Sequence, residues 1–314
     1  MRHFLIDTDT ASDDAVALVM ALRDPEVQVE AITVVAGNVP VDQAVQNALY
    51  TVELCQQQVP VYRGTAAPML QPLQTAQYVH GQDGLGDIGL PLSGRVPAAG
   101  HAVDAIRETI RRFPHEITLV TLGPLTNVAL ALLLDPELAQ LVRECVIMGG
   151  IGQGYGNVTP VAEFNIWVDP EAASIVFASG MPITMVGWDI SRIHATFTVQ
   201  EAQALRSVGT PLATFCVDIQ RNAQEFALEK TQLPGFDLPD PIAMAVALDS
   251  STATVVKSLN VTVETAFSLS RGQTLVDHLH VTGNPPNARV VLEASRSRFL
   301  EILYAAVRDD VARD

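Results

Sequence analysis

Positive charge is scarce in this sequence. Its 314 residues include two lysines, Lys230 and Lys257, and 19 Lys+Arg against 35 Asp+Glu give a formal net charge of −16. Phosphate contacts need a basic face, so the shortage argues against nucleic acid, or an anionic membrane surface, as a main partner. Long apolar runs are missing too. The longest, Ala15 to Leu22, has eight residues, whereas a membrane-spanning helix needs about twenty. The start, Met1-Arg2-His3-Phe4-Leu5-Ile6, meets Asp7 too soon for a secretory signal, so a cytoplasmic protein is expected. Cysteine is sparse: Cys55, Cys145 and Cys216 are odd in number and form no C-x-x-C. That leaves no zinc motif, and buried free thiols are expected. Repeats, low-complexity tracts and linkers are absent, so 1–314 reads as one domain.

What is present is a globular composition. Hydrophobic residues make up 48% and charged residues 17%, enough to bury a sizeable core. Val/Ile-rich runs at 3–7, 28–36, 59–62, 116–122, 144–148 and 182–186 read as strands. Between them, 14–23, 42–56, 126–134 and 169–179 have helical periodicity. Asp13 is expected to cap the first helix, and Asp24-Pro25 to stop it. Strands alternating with helices at this spacing imply an α/β fold: a mainly parallel sheet flanked by helices, a Rossmann-like open arrangement. Ligands of such sheets bind beyond the carboxyl ends of the strands. Asp7, Asp9, Gly37-Asn38, Gly123, Gly149-Gly150 and Asp189 all follow strands; Asp189 is read as structural. The Gly/Pro/Gln-rich stretch 64–100 is long enough to be a lid or binding loop. Residues 198–248 read as mainly helical, followed by strand-like runs near 254–263 and 288–293 and a final helix.

The most informative segment is Asp7-Thr8-Asp9-Thr10-Ala11-Ser12-Asp13-Asp14. Four carboxylates in eight residues repel and shift one another's pKa values. Capping and the helix dipole account for Asp13 and Asp14 but not for Asp7 and Asp9. A hard divalent cation such as Ca²⁺, which takes several carboxylate and carbonyl oxygens at once, removes the cost for all four. An EF-hand loop starting at Asp7 would need Gly and Glu where Ser12 and Leu18 stand. The start of a dehalogenase-type phosphatase, D-x-D-x-T, is satisfied by Asp7-Thr8-Asp9-Thr10, but no later G-D-x-x-x-D follows. The alternating glycines at 150, 152, 154 and 156 follow a strand without opening a helix, so a loop is read there rather than a dinucleotide fingerprint.

A third pattern, D-x-D-x-x-x-D-D after the first strand, is met in full by Asp7, Asp9, Asp13 and Asp14. In order along the chain come Val35-Ala36-Gly37-Asn38, His80-Gly81-Gln82-Asp83-Gly84-Leu85-Gly86, Leu122-Gly123-Pro124-Leu125-Thr126-Asn127 and Met148-Gly149-Gly150. Then follow Gly156-Asn157-Val158-Thr159-Pro160-Val161-Ala162-Glu163-Phe164-Asn165, Asp169-Pro170-Glu171-Ala172-Ala173, Asp240-Pro241 and Arg271-Gly272-Gln273-Thr274. Taken together these blocks resemble the nucleoside hydrolase family, of the inosine-uridine preferring type, over nearly the whole chain.

The resemblance implies hydrolysis of the N-glycosidic bond of ribonucleosides, giving ribose and free base. It implies a Ca²⁺ held by Asp9, Asp14, the Leu122 carbonyl and Asp240, an all-oxygen set. By the same resemblance Asp9 is the general base toward a metal-bound water, and the transition state has oxocarbenium character. Asp13, Asn38, Asn157, Glu163 and Asn165 match ribose-hydroxyl contacts, Met148 a wall of the sugar pocket, and Asp7 a residue that orients its neighbours. Asp240 counts among the substrate contacts as well. Read without the family, Asp240 is an N-cap, and the three asparagines are turn residues. A homodimer or homotetramer is expected from the family. The pattern departs at Pro239, where many members place the His that protonates the leaving base. His80 and His194 are the candidates to replace it, with His80 expected to contact substrate. Trp188 or Phe226 are candidates to stack on the base. Two other classes compete: a non-catalytic ribose- or nucleoside-binding protein on the same scaffold, and the dehalogenase-type phosphatase.

Overall fold

Along the first strand, β1 (Arg2–Thr8), Phe4 and Ile6 enter one apolar cluster and Leu5 enters another. The same alternation recurs in the fifth, where Val146 and Met148 face one cluster and Cys145 and Ile147 the other. Side chains on a strand point to opposite faces in turn. Both faces are therefore covered, and such strands read as continuous apolar runs in sequence. A computed structural model of the chain describes residues 1–231 and 233–308. The other strands in it are β2 (Val27–Val34), β3 (Val61–Arg63), β4 (Ile117–Thr121), β5 (Glu144–Met148), β6 (Ile183–Val186), β7 (Thr196–Thr198), β8 (Gly235–Asp237), β9 (Ala253–Leu259), β10 (Val261–Val263), β11 (Thr274–Val276) and β12 (Ala288–Ala294).

Eight of them form one sheet in the order β3-β2-β1-β4-β5-β6-β12-β9. Every neighbouring pair is parallel except β12 with β9. The chain runs outward from β1 to β3 and then returns to place β4 against the other side of β1. That reversal is the switch point at which open α/β sheets bind ligands. Asp7 lies there, in register with Thr33 of β2 and Thr121 of β4.

Helices 12–23, 41–54, 239–248 and 296–307 cover one face; 102–112, 126–134 and 170–177 cover the other. The helices Ser12–Arg23 and Pro239–Leu248 pack on one another and are buried almost all round, as helices that are apolar on every side must be. Their N-terminal ends meet at the switch point, bringing Asp13 and Asp14 to Asp240. No helix among the described residues is long and apolar enough to cross a membrane. Cys55, Cys145 and Cys216 are buried and unpaired, as expected.

The main elements lie where the sequence puts them, with 126–134 and 144–148 matching end to end. The stretch 64–100 is loop around one short helix, Gln77–His80. One expectation fails locally. Asp13 is not the N-cap of the first helix: Ala11 occupies that position and Asp13 lies inside the first turn. The Ala11 N–H donates instead to Asp14 Oδ2 at 2.9 Å. Likewise Asp240 is not a cap, since Leu238 precedes the helix Pro239–Leu248.

The small β7–β8 pair was not foreseen. It is held by Phe197 stacked on Phe236 at 5.7 Å, with Phe299 edge-on to Phe197 at 6.3 Å. Phe197 is fully buried. Phe197→Ala is expected to cost about 3–5 kcal/mol of unfolding free energy, read by urea denaturation, with Phe197→Leu costing clearly less.

Candidate functional site

The site begins with the end of β1. Asp7 Oδ1 accepts hydrogen bonds from Thr33 Oγ1 at 2.6 Å and Asn127 Nδ2 at 2.9 Å. Asn127 Oδ1 in turn accepts from the Thr65 N–H and hydroxyl, each at 3.0 Å. Asp7 thus ties β1 to β2 and to the helix Thr126–Leu134, a structural part that suits the orienting role expected of it. Burial pushes its carboxyl up to about 7, against the pull of those two donors.

Asp9 and Asp14 lie next along the chain, fully buried. Asp9 Oδ2 accepts the Asn38 backbone N–H at 2.6 Å. Asp14 accepts from the Thr8 hydroxyl at 2.6 Å and from Asn38 Nδ2 at 3.4 Å. Two glycines make room for Asp9. A Cβ on Gly37 would overlap Asp9 Oδ2 and sit 2.7 Å from Pro124 Cδ, and one on Gly123 would sit 2.7 Å from Asp9 Oδ1.

Burial, and then the Asp14 charge, push the carboxyls of Asp9, Asp13 and Asp240 well above the usual range. Burial also raises Asp14, although Thr8 and Ala11 donate to it. Carboxylates crowded this way resist ionisation unless a cation joins them. The residues fit one. Asp13, Asp14 and Asp240 place carboxylate oxygens within 4.8 Å of one another. Asp9 Oδ1 and Asp13 Oδ1 are buried with no hydrogen-bond partner. Every donor is oxygen, the choice of a hard divalent ion. The group that closes thus contains Asp13, while Asp9 adjoins it through Asp14. Leu122 lines the same pocket, and its carbonyl accepts from Asn165 Nδ2 at 2.8 Å.

Beside the cluster opens a pocket whose empty space, mouth and open solvent included, is about 860 Å³. Asp13, Asn38, His80, Leu122, Met148, Asn157, Glu163, Asn165 and Asp240 all line it; Asp9 and Asp14 are not in the lining but lie fully buried behind it, Asp14 beside Asp13 and Asp240 and Asp9 beside Asp14. Glu163 caps the short helix Phe164–Val168, accepting from the N–H groups of Asn165, Ile166 and Gly150. Burial nonetheless pushes its carboxyl up to about 7. Asn157 Oδ1 accepts the Phe164 N–H at 2.9 Å, so the turn chemistry and the pocket position coexist.

Of the two candidate histidines, only His80 reaches the pocket. It lies 2.9 Å from Ser12 Oγ and 3.8 Å from Asp13 Oδ1. His194 ends the helix Trp188–His194 outside the lining and is set aside. Trp188 and Phe226 both line it, with Tyr78 edge-on to Phe226 at 5.7 Å. Asp189 is structural, as expected: it accepts the N–H groups of Gly152 and Gln153. Sequence reasoning missed Tyr78, Gln220, Thr231, Phe236 and Asp237, which also line the pocket. The run Phe236-Asp237-Leu238-Pro239-Asp240 held the one available signal, a second acid beside the late aspartate.

Residues 4–301 match the family described as inosine-uridine preferring nucleoside hydrolase. The chain is 40% identical to the pyrimidine-specific ribonucleoside hydrolase RihA of Salmonella schwarzengrund (strain CVM19633) over 95% of its own length and 96% of the relative's. Among solved structures it is similar to a plant nucleoside hydrolase, the PpNRh1 enzyme. There the TM-score is 0.93 and the identity 32%, covering 98% of this chain and 99% of the other. A purine-preferring ribonucleoside hydrolase from Gardnerella vaginalis gives a TM-score of 0.90 at 31% identity, covering 98% of each chain.

The close fit around Asp9 is directly testable. Gly37→Ala is expected to leave the chain folded but to displace Asp9, lowering turnover of a ribonucleoside by about 10²-fold or more. Circular dichroism and steady-state rates check the two halves.

Proposed function

The chain belongs to the inosine-uridine preferring nucleoside hydrolase family, and on that footing we propose that its buried carboxylates hold a divalent cation and direct water onto the anomeric carbon of a bound ribonucleoside. It is an enzyme that hydrolyses ribonucleosides to ribose and free base. The phosphatase and the non-catalytic binding protein are displaced by the same matches.

The observation that carries the finer reading is the cluster of buried carboxylates in and behind the pocket lining, with Asp9 and Asp13 each keeping an oxygen that lacks any hydrogen bond. Asp14 and Asp240, with Asp9 and the Leu122 carbonyl, are proposed to hold the ion, and Ca²⁺ suits so many oxygen donors. When bound, the cation neutralises the cluster and makes water a better nucleophile at neutral pH. Asp9 accepts the water's proton, its other oxygen steadied by the Asn38 N–H. Asp13, Asn38, Asn157, Glu163 and Asn165 offer carboxylate acceptors and amides of both polarities, which suits vicinal hydroxyls. Met148 and His80 complete the walls on that side. This ring of anionic and neutral acceptors also stabilises positive charge developing on the sugar.

Pyrimidine ribonucleosides are the proposed better substrates, because the relative named pyrimidine-specific is the more identical, at 40% against 31% for the one named purine-preferring. The family match over residues 4–301 supports one domain. Phe267, Leu269, Leu279 and Val281 are each strongly exposed, and large apolar side chains left in water support a homodimer or homotetramer. The unpaired thiols suit the reducing cytoplasm.

A panel of uridine, cytidine, inosine and adenosine, followed by ultraviolet absorbance, tests the assignment. Base release is expected from at least one of them. Asp9→Ala is expected to lower it by at least about 10²-fold, and a chelator to abolish it until Ca²⁺ is restored. Undiminished turnover by Asp9→Ala would remove Asp9 from the reaction.

A further inference from the structure

A purine or pyrimidine anion is a poor leaving group, so the base needs a proton as it departs, and Pro239 has none to give. Few groups lining the pocket have one. His80 Nδ1 is held 2.9 Å from Ser12 Oγ and 3.8 Å from Asp13 Oδ1, engaged with the acidic cluster. The Thr231 hydroxyl donates to the Ala227 carbonyl at 3.1 Å, and Gln220 Nε2 to the Ser12 carbonyl at 2.8 Å. Tyr78 is 61% exposed, and burial of the remainder pushes its phenol up. No lysine or arginine lines the pocket among the described residues.

Asp237 remains. It ends β8, whose partner β7 is anchored by the Phe197–Phe236 stack. It shares the lining with Trp188, Ala223, Phe226, Ala227 and Phe236, an apolar and aromatic wall suited to a flat heterocycle. The Ser191 hydroxyl fixes its orientation, donating to Oδ2 at 2.8 Å. The groups facing it are Trp188, Ser191 and Arg192 of the helix Trp188–His194, with Asp13 across the pocket. Burial outweighs the donors and the Arg192 charge and holds the Asp237 carboxyl above the usual range.

We propose that Asp237 touches the nucleobase and delivers the proton that lets it leave, an inference that rests on the hydrolase reading above. The C1′–N bond breaks and its electron pair stays with the base. The Asp237 O–H proton passes to a ring nitrogen or carbonyl oxygen of that base. The water oxygen bonds to C1′ and its proton passes to Asp9. One water is consumed, and exchange with solvent returns the proton to Asp237 and removes it from Asp9. No oxidant or reductant enters.

The test compares two leaving groups in the full chain supplied with Ca²⁺. Uridine and inosine need protonation; 4-nitrophenyl β-D-ribofuranoside releases a phenolate that does not. Asp237→Asn is expected to lower kcat on the nucleosides by about 10²–10⁴-fold while changing the nitrophenyl riboside by less than about threefold. Equal loss on both substrates, or no loss on the nucleosides, overturns the proposal. Should Asp237→Asn fail to fold, Ser191→Ala serves: it keeps the carboxyl but frees its orientation, and the nucleoside-to-nitrophenyl rate ratio is expected to fall several-fold. An unchanged ratio overturns the proposal. Failure of the unaltered chain to cleave any of the three substrates would count against the hydrolase reading itself.

Discussion

Four aspartates share one buried place at the sheet's switch point, with no lysine or arginine among the described residues of the pocket lining beside them. Like charges taken out of water in this way are costly, and the structure supplies only part of the remedy. Thr8, Ala11 and Asn38 donate hydrogen bonds to Asp9 and Asp14. The helices Ser12–Arg23 and Pro239–Leu248 also bring their positive ends to the cluster. Oxygens of Asp9 and Asp13 still lack any partner. A divalent cation supplies the missing charge, and the same charge makes water reactive beside a sugar. Binding and chemistry therefore draw on one electrostatic need.

The fold's part is to make that crowding possible. The reversal from β3 back to β4 opens the crevice in which β1 ends. Gly37 and Gly123 let two loops close around Asp9, where any side chain would meet it. The buried helix Pro239–Leu248 brings Asp240, more than two hundred residues along the chain, beside Asp14. The pocket lining beside this cluster combines carboxylates and amides, suited to a sugar, with aromatic side chains, suited to a base.

Much of this was legible because it is local. The strand ends carry their acids and glycines in contiguous motifs, and alternating elements disclose a parallel sheet. Most of the expected sugar-side residues gather in one pocket because they end or follow a strand or open a helix, whereas Asn157 lies within a loop and His80 ends a short helix. What escaped depends on distant pairings. Asp13 looks like a cap by position, yet Asp14 is the residue that reaches back to the Ala11 N–H. The three-residue strands β7 and β8 are too short to announce themselves, and with them went Asp237. His194 is near a strand in sequence, but its helix carries it away from the pocket. The pocket wall at 220–231 shows no signature because Ala223, Phe226 and Ala227 act by shape.

The central claim is that one cation completes the acidic floor. Titration calorimetry of Ca²⁺ into the chelator-stripped chain tests it most directly. The account predicts one ion bound per chain, with binding lost in Asp14→Asn. Absence of any bound ion, with ribonucleoside turnover intact in chelator, would contradict it.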